Sequence, residues 1–497
     1  MNNRDKRIGD DDPALAAGHL KKGNALKNAG RLNDAASEFR RAIFLAPGDG
    51  TARLGLSSVL LKQGKLSEAV KSIEAALSIN PSYVEAHNQL GITFERQGNL
   101  REAEAAFEQA ISLEPGYAPA YSSRGNILQA REELAGAEAN FRKAIALRPE
   151  SEITHNNLGN TLYKQGRLDE AVACYEKALS LNPAYKTAAY NLSISLLLNG
   201  DLAAGWRHYE SRWESSLFKS EKKNFAQPHW DGSPLGDKTI LLHSEQGIGD
   251  TLQFVRYAKL IAGQGGKLVL ECQANLKSLL KKMPEFDAVI AGGERHPAFD
   301  VQAPLLSLPH IMGTVLETIP AEVPYIRAPE NPKTAGAVSS LPGQLKIGLV
   351  WAGNPEHEND RNRSIPLEKF GTLFNTNNTR FFSLQLEREN IQIRELGFEK
   401  ELKDLGPLIR GFGATAAAVE ALDLVICADT AAAHLAGAMG KSVWCLLPFV
   451  PDWRWMLARE DTPWYPTMRL FRQKRIGDWE GVISEVGDSL KRLASAS

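Results

Sequence analysis

The sequence predicts an α-helical repeat solenoid followed by a two-lobed α/β domain. A 34-residue periodicity runs through the N-terminal part, and short apolar runs separated by helical patterns replace it afterwards. Composition changes at the same place, since all nine tryptophans lie at or after Trp206. We place the solenoid at 14–217, a polar linker at 218–237, an N-terminal lobe at 238–340 and a C-terminal lobe at 341–497.

The 34-residue period is visible at several positions of each unit. A glycine relaxes the turn between two helices, alanines let the helices approach closely, and a proline stops the second helix. The prolines are Pro47, Pro81, Pro115, Pro149 and Pro183, the turn glycines are Gly30, Gly64, Gly98, Gly166 and Gly200 with Glu132 as the exception, and a bulky position holds Phe39, Ile73, Phe107, Phe141, Tyr175 and Tyr209. About six units are predicted, each burying its apolar face against its neighbours. The last one, with Gly205 and Arg212 where alanines stood, is predicted to be a degenerate cap.

This pattern closely resembles the tetratricopeptide repeat (TPR) family. The resemblance implies a concave groove that binds an extended peptide or a partner helix. Asn126, Asn157, Asn160 and Asn191 lie on the first helices of their units, where amides can hydrogen bond a peptide backbone. They are similar in this to the asparagines that line the groove of O-GlcNAc transferase. Ordinary solvated helix positions are the alternative interpretation.

The second half predicts two sets of parallel strands with helical crossovers. A proline-rich passage from Pro304 to Pro342 separates the two sets, which predicts two Rossmann-like lobes with a cleft between them. The predicted strands are 239–243, 267–271, 346–351, 380–384, 424–427 and 442–446. Ligands in such sheets bind at the carboxyl ends of the strands.

Three loops at these strand ends carry candidate chemistry. The first contains Gln246, Gly247, Gly249 and Asp250, where two glycines bring backbone close to a ligand and Asp250 either faces the cleft or caps the following helix.

The second loop follows strand 346–351. It contains Gly353, Asn354 and Arg363, and a guanidinium suits a diphosphate unless this is simply a solvated surface loop. Gln385, after strand 380–384, is assigned to the same donor site.

The third loop gives the strongest signal. A strand ends at Asp429, and a helix of very small residues begins after Thr430. Small side chains such as Ala431 leave the first backbone N–H groups uncovered, and the positive helix end adds roughly half an elementary charge, which together predict a diphosphate site. His434 is either a phosphate contact or a packed core histidine.

The stretch from Asp429 through Thr430 and His434 to Ala436 resembles the donor-binding motif of the heptosyltransferase family, which are inverting glycosyltransferases of the GT-B fold. The resemblance implies that Asp250, which matches the position of that family's aspartate, is the catalytic base. Ala431 departs from the glycine that the family commonly has there. The whole arrangement is similar to bacterial TPR-glycosyltransferases, including those proposed to glycosylate flagellin.

These resemblances imply an inverting, metal-independent transfer of a hexosyl or related group. A nucleotide sugar is the donor substrate, and the acceptor is a protein recruited by the groove; no cofactor and no metal site are expected. Two alternatives remain open: a TPR adaptor with an inactive transferase-like domain, and a sugar-nucleotide epimerase.

Composition excludes several other classes. With 58 basic and 59 acidic residues the chain lacks the basic footprint of a nucleic-acid-binding protein. No stretch of about 18 apolar residues predicts a membrane span, and four scattered cysteines predict neither a disulfide framework nor a zinc site, so a cytoplasmic location is expected. The aromatic residues of 451–455 and 463–465 are interpreted either as a sugar or acceptor platform or, one by one, as core.

Overall fold

The computed structural model of the chain describes residues 12–220, 222–338, 343–357, 359–386 and 390–496. The chain divides into two compact units, with the division between Tyr185 and Lys186. The predicted boundary between the two lobes, at 340/341, lies outside the described residues.

The described part of the first unit is a run of antiparallel helix pairs, as the 34-residue period predicts. Its helices are α1 (Pro13–Asn28), α2 (Leu32–Leu45), α3 (Gly50–Lys62), α4 (Leu66–Ile79), α5 (Val84–Arg96), α6 (Leu100–Leu113), α7 (Ala118–Ala130), α8 (Leu134–Leu147), α9 (Glu152–Lys164) and α10 (Leu168–Leu181).

The repeated residues have the structural roles that their chemistry predicts. Each second helix ends two residues before its proline, and each turn glycine has a positive φ, from 75° at Gly30 to 90° at Gly200. Glu132 adopts the same left-handed conformation, with φ 63°, at the position where the period breaks. The bulky position is buried in every unit, and the Phe107 ring lies so close to Gly91 that a methyl group there would come within 2.4 Å of it.

The predicted sixth repeat belongs to the second unit of the structure. Its helices, α11 (Lys186–Leu198) and α12 (Leu202–Tyr209), are followed by a 3-10 helix at Glu210–Glu214. The boundary between the two compact units therefore comes before this pair of helices, whereas the sequence pattern places the end of the solenoid at 217.

A buried ion pair fixes that 3-10 helix within the second unit. Arg212 is fully buried, and its guanidinium donates to both carboxylate oxygens of Glu245 at 3.1 and 3.0 Å. It also donates to Glu210 at 2.8 Å and to the Ser307 hydroxyl at 2.7 Å, while the Leu306 N–H donates to Glu245 at 3.1 Å. Arg212, which stands where the earlier repeats have alanine, is thus the centre of a polar network.

The second unit is an α/β structure with two parallel sheets. The first sheet has the strand order β3-β2-β1-β4 and the second β10-β9-β8-β5-β6-β7. The strands are β1 (Gly236–His243), β2 (Gly265–Cys272), β3 (Ala288–Ala291), β4 (Val301–Pro304), β5 (Leu345–Val350), β6 (Thr379–Ser383), β7 (Leu402–Asp404), β8 (Leu424–Ala428), β9 (Val443–Leu447) and β10 (Met468–Arg472). All six predicted strands are present, and four further strands, β3, β4, β7 and β10, are added by the structure.

Helices occupy most of the connections between these strands, as is usual for parallel pairing, and one helix follows the last strand. They are α13 (Ile248–Phe254), α14 (Ala258–Ala262), α15 (Ala274–Leu280), α16 (Leu308–Ile311), α17 (Pro332–Ala337), α18 (Asp360–Arg363), α19 (Ile391–Glu395), α20 (Phe412–Glu420), α21 (Ala431–Ala438) and α22 (Trp479–Ala496). In the second sheet, β5, β6 and β8 form one core cluster with the inner face of α22, which includes Val486 and Leu490. Among the described residues, no helix combines the length and the apolar character that a bilayer crossing requires.

Part of the predicted linker pairs with the first sheet. The Trp230 N–H donates to the Gln302 carbonyl at 2.8 Å, and the Gln302 N–H donates to the Pro228 carbonyl at 3.1 Å, so this segment forms an isolated parallel bridge to β4. Trp230 itself is buried. The polar composition of 218–237 predicts a tether, but the described segment around Trp230 is fixed to the domain.

Candidate active site

Two strand–loop–helix connections of the second unit bring predicted site residues together. Strand β1 leads through Gly247 into α13, and β8 leads through Thr430 into α21. A methyl group on Gly249 would lie 2.8 Å from Cδ2 of His434 and 3.7 Å from Cα of Ala431. The first turns of α13 and α21 are therefore in contact, and glycine at 249 permits this approach.

Asp250 occupies the third position of α13 and has two partners. One carboxylate oxygen accepts the Gly247 N–H at 2.8 Å, which is the capping role considered from the sequence. The other oxygen accepts from Nη2 of Arg454, and 17% of the side chain is exposed. Burial raises the pKa of Asp250 above its ordinary value, and the Arg454 charge limits that rise. Asp250 is thus both a cap and a partly accessible carboxylate.

Arg454 is the main residue that sequence reasoning missed. It lies in the 3-10 helix Trp453–Trp455 after β9, and its side chain is only 8% exposed. Besides Asp250, its guanidinium donates to Gln253 at 2.6 Å and to Asp452 at 2.8 Å. The only sequence signal was its position between two tryptophans, since the ion-pair partner lies 204 residues away.

The start of α21 carries polar groups that the described residues leave unsatisfied. Thr430 is the residue before the helix, its side chain makes no capping hydrogen bond, and its buried Oγ1 has no hydrogen-bond partner among the described residues. Asp429 is 9% exposed, and burial, reinforced by Asp452, raises its pKa to about 6. A helix that begins with N–H groups lacking intrahelical partners and with a free hydroxyl suits an anionic ligand. The raised pKa makes Asp429 easier to protonate, which reduces its repulsion of such an anion.

His434 is buried and packed, which matches one of its two alternative interpretations. Its Nδ1 lies 2.9 Å from the Tyr465 hydroxyl, and its ring stacks on Trp455 with centroids 5.3 Å apart. Burial lowers the pKa of His434, which favours the neutral imidazole. The opposite edge of the ring faces Gly249, so the packed histidine also shapes the junction of the two helices.

The loop after β5 places Arg363 beside Asp429. Nη1 of Arg363 donates to the Asp429 carbonyl at 3.2 Å, and Nε donates to Asp360 at 3.2 Å. Gly353 lies directly under this side chain, since a methyl group there would come within 2.5 Å of Nη2 of Arg363. Asn354 is exposed, and its side chain accepts the N–H of Glu356 at 3.1 Å within its own turn.

Two further predicted residues shape loops through backbone hydrogen bonds. Oε1 of Gln385 accepts the N–H groups of Trp351 at 3.2 Å and Ala352 at 3.1 Å, and its amide donates to the Ala352 carbonyl at 3.0 Å. This fixes the end of β5. The carbonyl of Gln246 accepts from Nε2 of Gln273 at 2.9 Å, which fixes the loop before α13.

The four candidate asparagines of the groove make hydrogen bonds within the protein. In the first unit, Asn157 donates to Asn126 at 2.9 Å, and Asn160 accepts from the Tyr175 hydroxyl at 2.8 Å. Asn191 belongs to the second unit, where its carbonyl accepts from Ser195 at 3.1 Å.

The aromatic residues after β9 form core and no exposed platform. Trp453, Trp455, Trp464 and Tyr465 are all at most 3% exposed. The Trp453 ring packs edge-on against Trp206 at 5.1 Å, which ties this loop to α12 within the second unit. The platform interpretation is therefore wrong for these four side chains.

Comparison with known proteins identifies the repeats of the first unit. Models described as tetratricopeptide repeat match residues 20–84, 84–117 and 153–185, and one described as TPR repeat matches 125–166. The chain is 26% identical over 326 residues to Protein FlbA of Caulobacter vibrioides, covering 60% of this chain and 54% of that protein. The chain thus spans about half the length of this curated relative.

Solved structures that resemble part of the chain include TTC0263, a TPR protein of Thermus thermophilus, at 27% identity, 37% coverage of this chain, 99% coverage of that chain and a TM-score of 0.34. Another is PilF of Pseudomonas aeruginosa, at 16% identity, 41% and 95% coverage and a TM-score of 0.38. The matched residues of the first unit are tetratricopeptide repeats, which indicates a protein-interaction role for this part of the chain.

Proposed function

We propose that the chain is an inverting, metal-independent glycosyltransferase with a GT-B-like domain, which transfers a sugar from a nucleotide sugar to a protein acceptor. One observation carries the proposal: Asp250 on α13 and the uncapped start of α21 lie at the same junction, where Gly249 packs on His434. A carboxylate and an anion-binding helix end are the two parts that a metal-independent transfer needs.

The proposed donor site uses the start of α21. The diphosphate accepts hydrogen bonds from the N–H groups of Ala431 and Ala432 and from the free hydroxyl of Thr430, and Arg363 adds positive charge nearby. Gly353 and Gln385 hold the adjoining loop in place. As the sugar–phosphate bond breaks, these groups stabilise the charge on the departing diphosphate.

The proposed acceptor is a protein bound by the tetratricopeptide repeats. Such repeats bind other proteins, and a transferase fused to them acts on whatever they recruit. Flagellin is a candidate because of the resemblance to bacterial TPR-glycosyltransferases. Asn126, Asn157 and Asn160 already hydrogen bond to neighbours, so peptide binding through them requires exchange of those hydrogen bonds.

An adaptor without transferase activity is the second candidate. The observation in its favour is the ion pair between Asp250 and Arg454, because a carboxylate that neutralises a buried guanidinium also has a purely structural explanation.

A donor panel distinguishes these functions. We expect the full chain to convert one class of nucleotide sugar to nucleoside diphosphate, faster when a protein acceptor such as flagellin is present, as measured by chromatography of the nucleotides. An adaptor leaves every donor unchanged with every acceptor. An epimerase converts the donor to an isomeric nucleotide sugar without any acceptor, and either of these results would contradict the proposal.

A further inference from the structure

The side chain of Arg454 lies between α13 and the segment that follows β9, both in the second unit. Its guanidinium carbon is 4.2 Å from the centroid of the Trp453 ring and 5.7 Å from that of Phe254. Its nitrogens donate to Asp250 and Gln253 of α13 and to Asp452 of its own loop. These contacts account for all three guanidinium nitrogens, so this side chain is held in one position.

One guanidinium therefore faces two carboxylates from the two lobes. Asp250 follows the first sheet, whereas Asp452 and Arg454 follow β9 of the second sheet. If Asp250 becomes neutral, Arg454 still has Asp452 as a counter-charge. The arrangement thus tolerates a change of protonation at Asp250 without leaving a buried cation unpaired.

We propose that Arg454 is a positioning residue for the transfer, which orients the Asp250 carboxylate and keeps it ionised until it accepts the proton of the acceptor hydroxyl. This proposal rests on the role of Asp250 as base in the proposed function. In the step, the bond from the anomeric carbon to the acceptor oxygen forms and the bond to the phosphate oxygen breaks. The hydroxyl proton moves to Asp250, and the electron pair of the broken bond leaves with the nucleoside diphosphate.

Charges on several elements act on Asp250. Arg454 lowers its pKa, Asp452 raises it, and His357 from the loop after β5 lowers it. Tyr190 of α11 is also within electrostatic range, although burial raises its own pKa to about 12, so it is neutral at ordinary pH. Arg454 and Asp452 are the two strongest charges in this set, and they act in opposite directions.

Two substitutions are expected to move the acidic limb of the pH–rate profile in opposite directions. Arg454→Gln removes the charge that lowers the pKa of Asp250, so the limb is expected to move up by about 1–3 pH units, and the rate recovers at high pH. Asp452→Asn removes the charge that raises this pKa, so the limb moves down. The Asn side chain retains an oxygen that can accept the backbone N–H of Arg454, as the Asp452 carboxylate does at 3.0 Å.

A measurement without turnover separates this proposal from the proposed function. Infrared difference spectra of the carboxyl stretch, wild type minus Asp250→Asn across a pH series, report the titration of Asp250 directly. The same pair of spectra in the Arg454→Gln or Asp452→Asn background gives the shift. If no donor is ever converted, the proposed function fails, but these spectra still show whether Arg454 controls the ionisation of Asp250.

Arg459→Gln is the matched control, since Arg459 is an arginine of the same segment that pairs with Asp461 at 2.7 Å, outside the site. It is expected to leave both the profile and the spectra unchanged. If Arg454→Gln fails to fold, Asp452→Asn tests the proposal, which predicts that the acidic limb of the pH–rate profile and the titration of Asp250 both move to lower pH. A rate that falls equally at every pH, together with spectra that no substitution shifts, would overturn the proposal and leave Arg454 a structural residue.

Discussion

Replacing Asp250 by Asn is expected to lower the rate of transfer by ~10²–10⁴-fold while nucleoside diphosphate binding is retained. Asn keeps an oxygen for the Gly247 N–H, which Asp250 accepts at 2.8 Å, so the cap of α13 survives. Arg454 keeps Asp452 as its counter-charge. The substitution thus removes the proposed base without removing the fold, and steady-state rates with calorimetric affinities measure the two effects separately.

Asp201→Asn provides the control for this substitution. Asp201 caps α12 by accepting the Ala204 N–H at 3.1 Å, so the same change of side chain is made at a helix start outside the site. Its rate is expected to equal that of the wild type. Because burial raises the pKa of Asp250, the wild-type rate is also expected to fall as the pH drops through that raised value. Undiminished turnover in Asp250→Asn would exclude Asp250 as the base.

Replacing Arg212 by Ala is expected to destabilise the second unit by about 3–5 kcal/mol, because it leaves the buried carboxylate of Glu245 without a counter-charge. Burial already raises the pKa of Glu245 to about 7, even with Arg212 present. Nε and Nη2 of Arg212 and the Leu306 N–H all donate to this carboxylate, which fits its ionised form. Urea unfolding followed by tryptophan fluorescence measures the loss, because all nine tryptophans lie in the second unit.

The pH dependence of this loss has a definite sign. A protonated Glu245 needs no counter-charge, and removal of Arg212 raises the pKa of Glu245 further. The loss of unfolding free energy in Arg212→Ala is therefore expected to be smaller at pH 5 than at pH 8. Combining Arg212→Met with Glu245→Gln is expected to recover part of the stability, since Gln retains an acceptor for the Leu306 N–H. Arg207→Ala, at an exposed position of α12, is the control. A loss no larger than that of the control would contradict the structural role of Arg212.

Repetition made the solenoid predictable from sequence. The turn at Gly98, the helix end before Pro115 and the buried Phe107 each recur in other repeats. One explanation of the 34-residue spacing therefore accounts for several positions of the chain. The matches to tetratricopeptide repeats confirm this part of the prediction. The sixth repeat differs because its helices contact the α/β structure, and a periodic pattern carries no information about which neighbour buries a face.

The strands that the sequence did not reveal share one property. β3, β4, β7 and β10 are the edges of the two sheets, whereas the six predicted strands all lie in the interior. An interior strand of a parallel sheet carries a nearly continuous apolar run, whereas an edge strand carries a shorter one. β4 ends at Pro304, the first proline of the proline-rich passage, so the sequence pattern does not separate this strand from that passage.

Candidate site residues could be proposed from the sequence where the signal was local. Gly249, Thr430 and His434 lie in loop and helix segments that follow predicted strands, and the structure brings these segments together because the first turns of α13 and α21 touch. Arg454 was not predictable in this way. Its role depends on an ion pair with Asp250 across 204 residues, and only the folded chain brings those groups into contact.

Calorimetric titration of the full chain with nucleoside diphosphates tests the proposed binding of a diphosphate at the start of α21. Ala432 is the second residue of α21 and is partly exposed. Ala432→Asp places a carboxylate where the phosphate would bind. Such a charge favours a helix start by roughly 0.3–1 kcal/mol, so the fold is retained.

We predict measurable binding of at least one nucleoside diphosphate to the wild type, and an affinity lowered by more than about tenfold in Ala432→Asp, since like charges about 4 Å apart repel by a few kcal/mol. Ala432→Ser, which adds no charge, is expected to bind as the wild type does. No binding at millimolar nucleotide, or equal affinity in Ala432→Asp, would exclude a diphosphate site at the start of α21.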